Sequence, residues 1–366
     1  MATHFIDDVH KLNNLIIAPG DTVLFKRGCT FRSSMPIFAG TEELPITYST
    51  FGEGANPVFM ASTDVSNAEY WEEISHNIWI CNMEIPGEVG NFVYNTDECS
   101  ATLRWEENEL STQGDFWDSR FGSCEKKTHS AKQKVLIYST QNPGIYYTHI
   151  ECVSYNTRII GRTQSNIIIE NICFKNSGVH GLAGQGKNVV IRNCSFENIG
   201  GCVWDRNLKI RFGNAVEFWI YGENILIENC TFKNIYDSCV THQGPGDQTI
   251  PTKNFICRNN TFDTYGMAAF EYRDKLPINS YFSNNTCVNA GCGFAMLGEN
   301  LPRNSEIWPL PMGHHIFLWR IDKPTEGGSL FIENNTFGSA PVGSAIYSLI
   351  SDDAFKQIVI RSNTFL

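Results

Sequence analysis

The sequence has few charged residues and no long apolar run, and these two absences exclude several classes of protein. Charged side chains make up 18% of the 366 residues and hydrophobic ones 42%, a composition too apolar for a disordered chain. No apolar segment approaches the roughly 18 residues of a membrane-spanning helix. The 28 basic residues are outnumbered by 39 acidic ones, which gives a net charge of −11, and no basic stripe is present. We therefore expect a globular protein that binds neither membranes nor nucleic acid.

Recognisable metal, disulfide and cofactor motifs are also missing. The 13 cysteines include no CxxC pair and no Cys/His cluster at metal-ligand spacing, and their odd number does not suit a complete disulfide framework. Several lie in strand-like segments, such as Cys173 in IENICF and Cys257 in FICRNN, where a thiol is a small buried hydrophobic group. GxSxG, P-loop and dinucleotide fingerprints are absent. We expect mostly reduced core cysteines, no metal and no other cofactor.

The amino-terminal segment MATHFIDDVHKLNN lacks the features of a secretory signal peptide. It has neither a basic region nor the apolar stretch that follows one in such a peptide. No signal peptide is therefore expected in this chain, although Met1-Ala2 could replace a removed leader. Secreted and cytoplasmic locations both stay open.

What the sequence does contain is an internal repeat. Seven copies of one unit follow residue 165, and their aligned sequences are NIIIENICFKN, NVVIRNCSFEN, NILIENCTFKN, NFICRNNTFDT, NSYFSNNTCVN, SLFIENNTFGS and IVIRSNTFL. Hydrophobic residues alternate within each unit on the two-residue period of a strand. The spacing between copies varies from 22 to 50 residues. Stacked coils typically show such a pattern, because each coil needs a minimum number of residues and loops of different length add residues at one corner.

This repeat predicts an all-β fold, a parallel β-solenoid. Each coil would turn its Ile, Val and Phe side chains inward, where they stack on the same residues of the next coil. An Asn recurs where the chain must bend between two sheets, because Asn tolerates left-handed backbone angles and its amide can bond to the Asn one coil away. These repeated residues are Asn171, Asn193, Asn229, Asn259, Asn284 and Asn334.

The repeat region, from Ile150 to Leu366, resembles a known family. Together with the opening segments PGDTVLFKRG, GTEELPIT and FGEGANP, at residues 19–28, 40–47 and 51–57, it is similar to the right-handed parallel β-helix carbohydrate-active enzymes of the pectin-lyase-like superfamily. The resemblance implies the handedness of the coil and a carbohydrate ligand. That superfamily includes lyases, glycosidases, esterases, epimerases and phage tailspikes, so the reaction must be argued from the site.

Three regions are predicted along the chain. Residues 1–70 form the N-terminal coils, and residues 149–366 form the main β-helix. Long loops are expected in the main β-helix at 204–212, 243–253 and 298–328. Residues 71–148 break the coil rhythm and are rich in Trp and Tyr, which indicates an inserted β-rich lobe.

A column of candidate site residues emerges when the strands after the F-x-N turn are aligned. The aligned segments are VHGL, VEFW, VTHQ, FEYR and FAML. The first residue of each is large and apolar, so the second should point to solvent. That second position is occupied by His180, Glu217, Thr241, Glu271 and Ala295. Two positions later, again outward, are Leu182, Trp219, Gln243, Arg273 and Leu297.

Two carboxylates in this column suit the cleavage of a glycosidic bond. Glu217 and Glu271 would be two coils apart with Thr241 between them, so their backbones would be ~9.6 Å apart. Side-chain tilt could bring the carboxyl groups into the ~6.5–9.5 Å window that leaves room for a water molecule. Asp237, at the turn into the Thr241 strand, is the alternative partner for Glu217 at a shorter separation.

The surroundings of these carboxylates predict sugar binding. Trp219 and Tyr272 would offer aromatic faces to a sugar ring, while Arg273 and His242 could bind hydroxyl groups or a carboxylate. The full set of predicted substrate-binding residues is His180, Trp204, Asp205, Trp219, Thr241, His242, Tyr272 and Arg273.

Three classes of function stay open, each with a carbohydrate as partner. A glycoside hydrolase acting on a polysaccharide or oligosaccharide is favoured by the carboxylates and aromatic residues. A uronate lyase or epimerase would need a base such as Tyr272, Lys275 or His242 and a cation such as Arg273, and no acidic Ca²⁺ cluster is evident. The third class is a non-catalytic carbohydrate-binding or adhesion solenoid.

Overall fold

The computed structural model describes residues 1–12, 15–122, 132–297 and 312–366, so residues 298–311 of the third predicted loop lie outside the described residues. Regular structure in these ranges is almost entirely β-strand, which confirms the predicted all-β class. Its two α-helices have four residues each, Pro143–Tyr146 and Asp352–Phe355. Short 3₁₀ turns occur at Val9–Lys11, Ala68–Tyr70, Glu107–Glu109, Gly246–Gln248 and Phe294–Met296.

The chain coils through three faces, and equivalent strands of successive coils pair in parallel. The first and second faces belong to one 14-stranded sheet, because Leu182–Arg192 and Val216–Glu228 pass from one face to the other. The first face contains the N-terminal halves of these two strands, followed by Ser238–Gln243, Ala268–Arg273, His314–Ile321 and Ile346–Ile350.

The other two faces complete each coil. The second face contains the C-terminal halves of the same two long strands, with Thr3–Ile6, Thr22–Lys26, Ile46–Phe51, Ile167–Glu170, Lys253–Arg258, Ser280–Ser283, Leu330–Glu333 and Ile358–Arg361. The third face is a nine-stranded sheet of Thr30–Phe31, Val58–Met60, Cys173–Ser177, Ser195–Ile199, Thr231–Ile235, Thr261–Tyr265, Thr286–Ala290, Thr336–Phe337 and Thr364–Phe365. The fold is therefore the predicted parallel β-helix.

The strand register reproduces the alignment of the seven repeats. On the third face the phenylalanine of each F-x-N unit pairs with its equivalent one coil away. The inward rings of Phe174, Phe196, Phe232 and Phe262 stack with centroid separations of 5.3, 5.1 and 4.8 Å. These columns form the core, since a single coil could not bury them alone.

A ladder of charged residues runs along the outside of the second face. Its members, one per coil in register, are Glu170, Arg192, Glu228, Arg258, Ser283, Glu333 and Arg361. Adjacent members form ion pairs of 2.7 Å for Arg192–Glu170, 2.7 Å for Arg258–Glu228 and 2.6 Å for Arg361–Glu333. Opposite charges therefore alternate along the coil axis, with the neutral Ser283 between Arg258 and Glu333.

The repeated asparagines form the bends, but they do not form the amide ladder expected of them. The six predicted bend residues have left-handed φ values between 54° and 61°. One ladder instead begins one residue later, where Asn260 donates to Asn285 and Asn285 to Asn335. Asn260 is buried while the bend residue Asn259 is exposed, so the amide that must be satisfied is the inner one. A second ladder joins Asn166, Asn188, Asn224, Asn254 and Asn279.

Two smaller sheets and a hairpin lie outside the coils. A five-stranded sheet is formed by Trp71–Ser75, Ile78–Cys81, Thr102–Leu103, Asp115–Asp118 and Val135–Tyr138, and a three-stranded sheet by Ser62–Asp64, Val89–Tyr94 and Ile150–Ser154. These strands share a separate aromatic core around Phe92 and Phe116. The hairpin pairs Cys202–Asp205 with Ile210–Phe212.

The twelve cysteines in the described ranges are free thiols, nine of them buried. Burial raises the pKa of the Cys81 thiol to about 11, so this sulfur is held as an unreactive thiol. No helix within the described ranges is long and apolar enough to cross a membrane.

Candidate active site

Three of the predicted column residues lie in register on the first face. Glu217 pairs with Thr241, and Thr241 pairs with Glu271. Two residues further along these strands, Trp219 pairs with Gln243. The side chains of this face alternate between the core and the outside because of the two-residue period of a strand.

The ends of the predicted column are wrong. The residue that pairs with Glu217 on the preceding coil is Ala183, not His180, because the strand begins three residues later than the alignment assumed. Leu182, which was expected to point outward, is consequently inside the core.

At the other end, the residue that pairs with Glu271 is Phe317 rather than the predicted Ala295. Ala295 lies in the buried 3₁₀ turn Phe294–Met296, and Leu297 follows this turn. His314–Ile321, assigned from the sequence to a loop, is a strand of the first face.

A cleft of about 360 Å³ opens over this face. Its apolar and aromatic lining comes from Trp204, Ile210, Phe212, Trp219 and Trp319. Its polar lining comes from His180, Asn214, Glu217, Asp237, Gln243, Arg273 and Arg320. The hairpin of the predicted first loop forms one wall, because it supplies three of the apolar residues.

Glu217 is held in this cleft by two amide donors. Its Oε2 accepts hydrogen bonds of 2.7 Å from Asn214 Nδ2 and 2.5 Å from Gln243 Nε2. Asn214 also accepts a hydrogen bond from the backbone N–H of Ser238 through its side-chain oxygen, which fixes the amide. With Oε2 engaged, Oε1 is the oxygen of Glu217 that remains to act on a ligand.

His180 reaches the same carboxylate from outside the column. Its Nδ1 accepts a hydrogen bond of 3.1 Å from the backbone N–H of Asn214, so the proton of the neutral ring is on Nε2. Nε2 lies 3.9 Å from Glu217 Oε1. His180 therefore presents an N–H donor to the cleft, next to the free oxygen of Glu217.

Asp237 lines the same cleft, one coil away from Glu217. It directly precedes the strand Ser238–Gln243, which pairs with the start of Val216–Glu228. Only 2% of Asp237 is exposed. Two carboxylates on adjoining coils thus border one cavity, and Asp237 is the alternative partner of Glu217 named from the sequence.

Glu271, the first-choice partner in the sequence prediction, does not border the cleft. It is 1% exposed, and its oxygens accept hydrogen bonds from Ser238 Oγ at 2.7 Å, Trp319 Nε1 at 2.7 Å and Arg273 Nη2 at 3.0 Å. Burial raises the pKa of the Glu271 carboxyl, but the Arg273 charge and these hydrogen bonds outweigh burial, so the pKa lies below its ordinary value. Glu271 is therefore a buried, ionised residue that positions Arg273 and Trp319, and these two residues line the cleft.

Two arginines and a tryptophan form the end of the cleft near Glu271. The Arg273 guanidinium lies 4.3 Å from the centroid of the Trp319 ring, and that of Arg320 lies 5.7 Å away. Arg320 Nε is 3.2 Å from Asp274 Oδ1. Each guanidinium in the cleft therefore has a carboxylate of its own.

Tyr272 and His242 were predicted to contact substrate, and the structure places both inside the coil. Tyr272 is fully buried in the main core, and its hydroxyl bonds to Thr252 Oγ1 at 2.8 Å. His242 packs against that ring, with centroids 5.6 Å apart, and its Nε2 lies 3.3 Å from the carbonyl oxygen of Ile220. Both residues follow an outward residue by one position, so strand alternation turns them inward.

The remaining predicted residues divide between the cleft and its support. Trp204 and Trp219 line the cleft and are 42% and 39% exposed. Thr241 is fully buried between the two glutamates. Asp205 accepts hydrogen bonds from the backbone N–H groups of Asn207 and Leu208, so its carboxylate shapes the hairpin turn.

Sequence reasoning missed Asn214, Trp319 and Arg320. The sequence carried only a weak signal for Trp319, because HHIFLWRI contains a continuous apolar run that is consistent with a strand but does not show which side chains face outward. Asn214 carried no such signal, since it lies in the irregular segment before its strand. No cluster of His, Cys, Asp or Glu side chains in the described ranges could hold a metal ion.

Comparison with known proteins identifies the fold. A family model described as the right-handed beta helix region matches residues 133–305. The structure of XylC in complex with xylose superposes with a TM-score of 0.55 at 11% identity, over 99% of this chain and 62% of that one. This chain therefore spans less than two thirds of the XylC chain.

Two other solved structures show weaker similarity, and no curated protein sequence matches. An alginate lyase from Paenibacillus sp. str. FPU-7 has a TM-score of 0.47 at 10% identity, over 100% of this chain and 95% of that one. A family 28 exopolygalacturonase from Yersinia enterocolitica has a TM-score of 0.41 at 12% identity, over 100% and 70%. The coil geometry, the match to the right-handed beta helix region and the superposition on XylC agree on the fold, and this chain therefore has a right-handed parallel β-helix fold.

Proposed function

We propose that this protein hydrolyses a glycosidic bond in an oligosaccharide or polysaccharide, with Glu217 and Asp237 as the pair of carboxylates. The observation that carries the proposal is that both border one cleft from adjoining coils. Glycoside hydrolysis needs one carboxyl group to protonate the leaving oxygen. It needs a second to activate water or to attack the anomeric carbon. Exposed faces of Trp204 and Trp219 beside the pair suit the binding of sugar rings.

Glu217 suits the second of these roles. The amides of Asn214 and Gln243 fix its Oε2, which leaves Oε1 directed at a substrate. Asp237 then supplies or accepts the proton of the leaving group. His180 Nε2–H lies near Oε1 of Glu217 and can donate to a sugar hydroxyl at that position. The stereochemistry of the product, read from proton NMR of the released anomer, distinguishes attack by Glu217 from activation of water.

The test is the turnover of Glu217→Gln and Asp237→Asn on a panel of oligosaccharides. Each isosteric change should lower kcat by about 10²–10⁴-fold, the usual contribution of a general acid or base. Glu53→Gln, an exposed carboxylate remote from the cleft, serves as the matched control and should retain wild-type activity. Full activity of either cleft variant would remove that residue from the mechanism.

Glu271→Gln separates this proposal from the pair predicted by sequence alone. Because Glu271 contacts Arg273 and Trp319 rather than the cleft, its substitution should raise KM and reduce kcat less than Asp237→Asn does. Products with an unsaturated uronate, seen by ultraviolet absorbance, would indicate a lyase. Binding without any product would indicate a non-catalytic solenoid.

A further inference from the structure

The charges around the cleft limit which sugars it can hold. Glu217 and Asp237 contribute carboxyl groups to its lining, while Arg273 and Arg320 contribute positive charges. Both guanidiniums, however, are already paired, Arg273 with Glu271 at 3.0 Å and Arg320 with Asp274 at 3.2 Å. With Asp237 protonated as the general acid, the two guanidiniums and the three remaining carboxylates give these groups a net charge of −1.

The ion pairs Arg273–Glu271 and Arg320–Asp274 are held in place by burial and by further hydrogen bonds. Glu271 is 1% exposed and Asp274 8%, so salt screens these carboxylates much less than it would surface groups. Glu271 is anchored by Trp319 and Ser238 as well as by its arginine. Asp274 also accepts a hydrogen bond from Thr249 Oγ1 at 3.2 Å. An incoming sugar carboxylate would have to share each guanidinium with a carboxylate that cannot leave.

The other groups that line the cleft are uncharged and suit hydroxyl groups and ring faces. Trp204 and Trp219 expose large aromatic areas, on which the C–H face of a sugar can pack. Gln243, Asn214 and the Nε2–H of His180 supply neutral hydrogen-bonding groups. Stacking and neutral hydrogen bonds therefore dominate recognition here.

From this charge balance we infer that the cleft binds electrically neutral sugar residues and discriminates against uronates. The inference rests on the proposed function for the identity of the site, and it names the class of substrate. A chain of uronates would bring one negative charge per residue to a region where carboxylates already outnumber guanidiniums, in a protein with a net charge of −11.

Binding to the Glu217→Gln variant tests the inference without requiring turnover. Oligogalacturonates and oligomers from alginate would each be compared with the same oligosaccharide after chemical reduction of its carboxyl groups, together with xylo- and gluco-oligosaccharides, by calorimetry at 20 and 300 mM salt. At least one neutral oligosaccharide should bind at least tenfold more tightly than every acidic one, with affinity independent of salt. Tighter, salt-sensitive binding of an acidic form would overturn the inference, as would the absence of binding to any neutral form.

Because this variant lacks one negative charge in the cleft, the comparison is repeated with Asp237→Asn, where the same order of affinities should hold.

Asp274→Asn in the Glu217→Gln background should free the Arg320 charge and improve binding of acidic oligosaccharides severalfold, with little change for neutral ones. Asp353→Asn, an exposed acid paired with Lys356, is the matched control. Unchanged acidic binding in Asp274→Asn would contradict the charge argument. Neutral binding in a protein that releases no product would refute hydrolysis but not this inference.

Discussion

His242 should make the protein less stable in mild acid. Its imidazole is almost completely buried beside the Tyr272 ring, and burial lowers the pKa of His242 from 6.5 to about 4, with a small opposing effect from the hydrogen bond to Ile220. The unfolded chain therefore binds a proton between these two values while the folded protein does not. Stability from this group is complete above pH 6.5 and is lost as the pH falls toward 4.

The size of the effect follows from the two pKa values. Between pH 7.5 and pH 5 the single histidine should remove about 2 kcal/mol from the free energy of unfolding. Most carboxylates stay ionised over this interval, so the histidine contribution can be separated from general acid denaturation. His242→Phe should abolish this part of the pH dependence, because Phe fits between its register neighbours Phe218 and Tyr272 and cannot bind a proton.

Urea denaturation of both proteins at pH 7.5 and pH 5 provides the measurement. The quantity to compare is the change in the free energy of unfolding between pH 7.5 and pH 5. The hydrogen bond to Ile220 that His242→Phe loses lowers this free energy equally at both pH values, so it cancels in the difference. Burial also lowers the pKa of His315, but that residue is common to both proteins and cancels. The exposed His10 provides the control His10→Gln, which should keep the wild-type pH dependence. An equal loss of stability on acidification in wild type and His242→Phe would refute the reasoning.

Two further changes test the coil itself. Ile227→Asp should prevent folding, because it buries an unpaired charge in the core, whereas the exposed Lys233→Ala should express and melt like wild type. Circular dichroism and gel filtration would detect the difference, and a folded Ile227→Asp protein would contradict the assigned core. Asn260→Ala should lower the free energy of unfolding by about 1–3 kcal/mol for each buried group left unpaired, here the Cys230 N–H and the Ile227 carbonyl. An unchanged urea midpoint would show that this ladder contributes no stability.

The repeat made the fold predictable because stacked coils must present the same residue at the same place. The seven aligned units are the units that pair in the structure. The first face was less predictable, since the segments between the third and first faces differ in length from coil to coil. A three-residue error there moved His180 into a position that Ala183 occupies.

The candidate site was predictable only in part, because strand alternation gives the direction of a side chain but not the residues that cover it. Alternation correctly placed Glu217 and Trp219 on the outside, and the same rule, if applied to Tyr272, would have excluded it. Alternation also placed Glu271 on the outer side. It could not show that Arg273 and Trp319 cover this carboxylate, because such contacts depend on strands distant in sequence.

The charged ladder on the second face constrains which coils of the β-helix could be removed. Its signs run Glu, Arg, Glu, Arg, Ser, Glu, Arg along the axis. Excising the coil that carries Arg192 would place two glutamates side by side, and like charges directly opposite each other on paired strands are destabilising. Excising two neighbouring charged coils restores the alternation. The coil of Ser283 differs from the others, because its removal would join Arg258 to Glu333 as a new ion pair, so shortening the protein there would add an ion pair to the ladder.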